Sequence, residues 1–178
     1  IRIIVGTENS QKEFAIHKGL ICDRSEFFKN ALGGNWAETD NVKLPEDDAE
    51  LFAIYQEFLY TNRLPVNDNE GDPQNKYLIL CKIYVLCEKL LDTSSKDAVL
   101  SALEALCKTK FDERRVCPDF QCVEAIYNGT PQGNKARMLL ASVYAINGDE
   151  EVLEKILVSE HQWADFSRDL FRAMMAHR

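Results

Sequence analysis

Phe14-Ala15-Ile16-His17-Lys18-Gly19-Leu20, followed by Ser25-Glu26-Phe27-Phe28, is the stretch on which the fold turns. Phe14 and Ile16 alternate with Ala15 as on a half-buried strand, whereas Leu20, Ile21, Phe27 and Phe28 fall at helical spacing. A strand hands over to a short helix within a few residues. Upstream, β-branched Ile1-Arg2-Ile3-Ile4-Val5 is separated from Phe14 by turn residues between Gly6 and Ser10, which predicts an antiparallel hairpin. Downstream, Ser25 is placed to cap a helix through Phe27, Phe28 and Leu32. Gly33-Gly34 should end it, because paired glycines tolerate positive φ and lower helix propensity.

Beyond residues 35–41, Val42-Lys43-Leu44 reads as a brief third strand closed by Pro45. Acidic Glu46, Asp47 and Asp48 then precede Leu51, Phe52, Ile54, Tyr55, Phe58 and Leu59, so negative charge sits at the positive end of an amphipathic helix running to about Thr61. From Pro65 to Asn75 the Pro, Asn, Asp, Gly and Glu content predicts an exposed loop. Tyr77 to Leu91 is the most apolar segment, and its apolar residues surround most of a helix, as expected of a central core element. Thr93 or Ser94 should cap the helix carrying Ala98, Val99, Ala102, Leu103 and Leu106. Cys117-Pro118 marks a boundary, since the residue before proline is pushed from helical angles. Four helices are expected after it, over about Phe120 to Asn128, Asn134 to Asn147, Glu150 to Val158 and Trp163 to Met175, with Gly129 and Gly148 as stops.

The chain has 178 residues, enough for one domain or one domain with an appendage. No apolar run approaches the ~20 residues of a membrane-spanning helix, and the first residues lack the marks of a signal peptide. The sequence starts at Ile1 without an initiator Met and is read as an excised fragment, so targeting signals could lie outside it. A formal charge of -8 opposes a phosphate backbone, and no basic cluster exceeds Arg114-Arg115, which argues against nucleic-acid binding by this segment; composition and the lack of a long apolar run lead to no expected membrane partner. Most of the six cysteines lie in apolar helical stretches, where Cys acts as a small hydrophobe; reduced thiols, hence the cytoplasm or nucleus, are expected.

The opening motif resembles the strand-to-helix junction of the BTB/POZ domain, whose pattern is Phe-x-Val/Ile-His-Lys-x-x-Leu and then Ser-x-Phe/Tyr-Phe. The likeness runs from Ile1 to about Leu106 and takes in Val42-x-Leu44-Pro45-Glu46-Asp47-Asp48, Phe58-Leu59-Tyr60-Thr61 and the apolar helix from Tyr77, in the family's order. Each pattern alone is weak, and together in register they are specific. The Phe-Leu-Tyr-Thr ending and the Pro-Glu-Asp-Asp segment look most like BTB proteins abundant in filamentous fungi. The resemblance implies an α+β fold, a small three-stranded sheet packed on a helical cluster over 1–110, with an all-helical extension over 111–178. Many members carry a further strand and helix ahead of the hairpin, whose exchange builds a dimer; this sequence starts without them, which leaves the swapped dimer in doubt. Asp23 stands where small residues are common and is assigned no function.

The candidate residues follow from that likeness. Cullin-binding BTB domains carry a hydrophobic-x-Glu motif where this sequence has Trp36-Ala37-Glu38, and often an aromatic contact at the position of Tyr60. A tryptophan seated in a partner could contribute up to about 4 kcal/mol before association costs are subtracted. The plainer reading folds Trp36 back under the domain, leaves Glu38 solvated and makes Tyr60 a partly buried core residue. His17 is expected to satisfy backbone groups at the junction rather than to act as a ligand. Trp163, Phe166, Leu170, Phe171 and Met174 form a stripe expected to pack the tail. His161 and His177 are expected to be solvent-facing or capping. No nucleotide-binding, metalloprotease or nucleophile-elbow motif occurs, and no Cys or His pairs lie at zinc spacing, so no catalytic residue, metal ligand or cofactor is assigned. The expected function is a substrate-recruiting adaptor of a cullin-RING ubiquitin ligase, using Trp36, Glu38 and Tyr60; the alternative is a self-association or scaffold domain of a regulatory protein without cullin.

Overall fold

The structure, a computed structural model, describes residues 1–33, 41–64, 72–111, 114–148 and 163–176. The chain divides into two compact units, Ile1–Glu70 with Lys82–Val99, and Gly71–Cys81 with Leu100–Arg178.

In the first unit, β1 (Arg2–Val5) pairs antiparallel with β2 (Lys12–Ala15), Ile3 opposite Phe14, and parallel with β3 (Asn41–Leu44), Ile3 opposite Val42. The sheet order is β2-β1-β3. Gly6, at φ +99°, opens the hairpin turn; a Cβ there would lie 3.1 Å from the Ser10 carbonyl oxygen. Only a residue free of a side chain accepts both constraints without cost. Past Ala15 the chain stays tied to the first strand, because Ile16 N–H donates to the Ile1 carbonyl at 3.1 Å.

The junction then forms two helices rather than one, α1 (Lys18–Arg24) and α2 (Glu26–Gly33). Ser25 separates them in an extended conformation; its Oγ accepts from Phe28 N at 3.2 Å and donates to the Leu90 carbonyl at 2.5 Å. It is therefore the helix cap expected from the sequence and also a buried tie to the end of the core helix. Helix α3 (Ala49–Thr61) begins as the acidic run predicts, with Asp48 Oδ1 accepting from Glu50 N at 2.8 Å and Leu51 N at 3.2 Å. It closes at Asn62 in the left-handed region. Phe14, Phe52 and Tyr55 pack ring on ring, with centroids 5.0 and 5.7 Å apart, over a core that includes Ile3, Val5, Ile21 and Phe28.

Helix α4 (Pro73–Lys89) contributes residues to both units and starts earlier than the composition suggests. Residues 73–75, expected in a loop, are its first turn: Pro73 needs no intrahelical N–H there, and Asp72 Oδ1 accepts from Gln74 N at 3.1 Å. Residues 65–71 of that expected loop lie outside the described residues. At its other end α4 stops at Lys89 rather than Leu91, which adopts φ 53° and is 53% exposed. Helix α5 (Thr93–Lys108) is capped by Asp92, not by Thr93 or Ser94: its Oδ1 accepts from Ser95 N at 2.8 Å. Tertiary partners decide the choice, because Tyr55 donates to Asp92 Oδ2 at 3.0 Å and Arg24 approaches its Oδ1 at 3.7 Å.

Among the described residues the regular elements of the second unit are helices apart from a ribbon of β4 (Lys110–Phe111) and β5 (Arg114–Arg115), too short to leave a period in the sequence. Helices α6 (Phe120–Gly129), α7 (Lys135–Asn147) and α8 (Ala164–Ala176) follow, with Asp119 and Asn134 capping the first two. The helix expected over 150–158 lies outside the described residues, as do His161 and His177. Buried Arg137 closes the C-terminal end of α6, donating to the Tyr127 carbonyl at 2.7 Å and to the Thr130 hydroxyl and carbonyl. The tail stripe divides. Phe166 and Leu170 are buried against α6 and α7, whereas Phe171, 65% exposed, and Met174 turn outward. At 100° per residue Phe171 falls about 140° from Phe166, whereas Met174, about 80° away, sits at the margin of the packed face, so only part of the stripe packs the tail.

Candidate protein-interaction site

Three residues are the expected partner contacts. Trp36 and Glu38 lie outside the described residues. Tyr60 lies inside them, in the last turn of α3, and is 47% exposed.

Local sequence explains the exposure. Phe58 and Leu59 on the same turn are buried, so helical geometry turns the next position away from the core. The Tyr60 hydroxyl is nevertheless fixed. It accepts from the backbone N–H of His17 at 3.1 Å and hydrogen-bonds His17 Nδ1 at 2.7 Å, and the two rings meet edge to face with centroids 5.8 Å apart. His17 is the residue before α1, and its own side chain makes no capping bond to that helix. Instead of the backbone groups expected of it, the His17 ring bonds the hydroxyl of a tyrosine 43 residues away. Neither residue signals that partnership in the sequence, because histidine and tyrosine at helix ends each have many possible partners.

The same unit holds a buried polar network. Asp92, fully buried, accepts from Tyr55, from Ser95 N and from Ser95 Oγ, and faces the Arg24 guanidinium, which donates to Ser95 Oγ at 2.7 Å and sits 5.9 Å over the Phe58 ring. The network ties α1, α3 and the start of α5 together, and Phe58 is two residues from Tyr60. Burial, reinforced by the Asp92 charge, pushes the Tyr55 hydroxyl far above its usual range, so it remains a donor.

None of the six cysteines is paired in a disulfide. Burial pushes the Cys87 thiol up, and Cys107 up to about 11, although Tyr77 opposes the second shift by hydrogen bonding. Cys122 rises through a hydrogen bond to Cys81 and through burial. These thiols stay protonated and behave as core groups. Among the described residues no set of three His, Cys, Asp or Glu side chains is arranged to hold a metal ion, and no helix is long and apolar enough to cross a membrane.

A three-stranded mixed sheet closed by a helical cluster, with an aromatic held at its surface, describes a protein-interaction module. Residues 1–95 match the model of the BTB/POZ domain, and the chain belongs to that family. Over 94 residues it is 30% identical to the Inhibitor of Bruton tyrosine kinase of Mus musculus and to that of Homo sapiens, covering 52% of this chain. The chain spans 7% of the length of each of these relatives.

Proposed function

We propose that the chain is a non-enzymatic adaptor that docks a cullin scaffold through the BTB/POZ module, taken as residues 1–110, while the helical extension over 111–178 or further chain engages substrate. The ligase would supply the chemistry, and this chain would supply position, bringing a bound protein within reach of the transfer machinery. The setting is the cytoplasm or nucleus, and the fungal type of BTB domain is the one it most resembles. Trp36 and Glu38 are assigned as the hydrophobic and charged contacts and Tyr60 as the aromatic one. The observation that carries the reading is Tyr60: its ring is half-exposed although its hydroxyl is held, so a partner meets a contact surface with little side-chain freedom left to lose.

Calorimetric titration against the N-terminal domain of the BTB-binding cullin from the same organism tests it. Micromolar or tighter binding that is lost in Trp36→Ala and Glu38→Lys is expected. A folded chain that shows no binding sinks the adaptor reading and leaves self-association, read by light scattering, as the module's task.

A further inference from the structure

Resting on the cullin reading, we propose that His17 and Tyr60 form one docking element, which takes an apolar side chain of the partner against the Tyr60 ring and a carbonyl or carboxylate oxygen at His17 Nε2. The hydrogen bonds set the arrangement. The Tyr60 oxygen accepts the His17 backbone N–H at 3.1 Å and lies 2.7 Å from Nδ1, and in the tautomer proposed for the element its own proton is directed to that nitrogen. A neutral imidazole that accepts at Nδ1 carries its hydrogen on Nε2. Among the described residues none bonds that nitrogen, and His17 is exposed. The pair thus offers an outward donor beside an aromatic face, both fixed by the same two bonds. Exposed Lys18, next in the chain, favours a carboxylate over a carbonyl as the acceptor.

Two substitutions separate the halves of the element. His17→Asn keeps an acceptor near the Nδ1 position and removes the Nε2 donor; His17→Gln keeps a donor near Nε2 and releases Tyr60. Titration against the same cullin domain, with thermal melts as the check on folding, is expected to show each weakening binding about three- to tenfold and His17→Ala tenfold or more. Tyr60→Phe combined with His17→Ala should bind no more weakly than His17→Ala, because both cut the same tie. Binding by His17→Ala within twofold of the unsubstituted chain, while Trp36→Ala and Glu38→Lys abolish it, overturns this element and leaves the cullin reading standing. No binding by the unsubstituted chain overturns the cullin reading and the element with it. Loss in the His17 and Tyr60 variants with none in Trp36→Ala upholds the element and moves the rest of the interface.

Discussion

Replacing Asp92 with alanine should cost more stability than any other single truncation of a polar side chain in the first unit. The carboxylate is fully buried and accepts hydrogen bonds from Tyr55 Oη, Ser95 N and Ser95 Oγ. Removing it orphans those donors and leaves the Arg24 guanidinium, whose side chain is only 23% exposed, without its counter-charge. Breaking a buried pair from one side costs about 3–5 kcal/mol, far above the ~1 kcal/mol of an ordinary neutral hydrogen bond. In urea, with a slope of roughly 2 kcal/mol/M for a chain of this size, the midpoint should fall by about 2 M, and the melting temperature by on the order of 10 °C. Tyr55→Phe, which removes one donor and keeps the ring, should cost only about 1 kcal/mol. Adding Arg24→Met to Asp92→Ala should recover part of the loss, because the stranded cation goes with its partner. A loss below about 1 kcal/mol for Asp92→Ala, or strict additivity with Arg24→Met, would refute the account of Asp92 as the centre of a coupled network.

Two further outcomes follow from the same geometry. Leu91 holds φ 53° with its side chain 53% exposed, so Leu91→Gly should relieve left-handed strain at little loss of burial and raise stability by roughly 0.5–1 kcal/mol in urea titration. A fall in stability would mean that the leucine packs more than its exposure suggests. Cys107 has a thiol pKa raised from 9.0 to about 11, so the unfolded chain releases this proton at lower pH than the folded one. Its contribution is complete below pH 9 and is lost as pH rises toward 11. Between about pH 8 and pH 10.5 the unsubstituted chain should therefore lose about 2 kcal/mol more than Cys107→Ala, measured as the difference in urea midpoints, and equal losses would contradict the buried, protonated thiol.

Where physical signals were local, the sequence was readable. The hairpin of β1 and β2 rests on alternation and a turn, α3 on an apolar period behind an acidic run, and α7 on a helical pattern stopped by Gly148, each within one segment. Asp92 is a different case. Three adjacent residues, Asp92, Thr93 and Ser94, are all good helix caps, and the choice is made by Tyr55 and Arg24, 37 and 68 positions away. Pro73 misled in the opposite direction, because proline among Asn, Asp and Gly reads as loop, yet its missing N–H is harmless at the first position of a helix. In the site, family likeness pointed to Tyr60, but its bond to His17 depends on the first strand pair delivering α1 beside the end of α3. No spacing rule spans such a contact.

The sheet itself helps to explain why partner contact would fall on helix ends. Among the described residues the three-stranded sheet, in the order β2-β1-β3, has β2 and β3 at its edges, and sheet edges are the usual place for a partner's strand to add. Here each strand has four residues, and β2 is blunted by charge: Lys12 pairs with Glu50, Glu13 with Arg2 at 3.3 Å. Gln56 on α3 also donates to the Ala15 carbonyl at 3.0 Å, occupying a backbone acceptor that an added strand would need. Extension of the sheet along β2 would have to displace a side-chain hydrogen bond and desolvate a charged rim for the sake of a ladder of at most four residues. The Tyr60 ring asks for neither; its hydroxyl is already bonded, and what remains exposed is aromatic surface whose burial is favourable. The fold thus closes the backbone route to association along β2 and leaves the side-chain route open, and it does so with the same helix, α3, whose Gln56 guards the strand and whose Tyr60 faces outward.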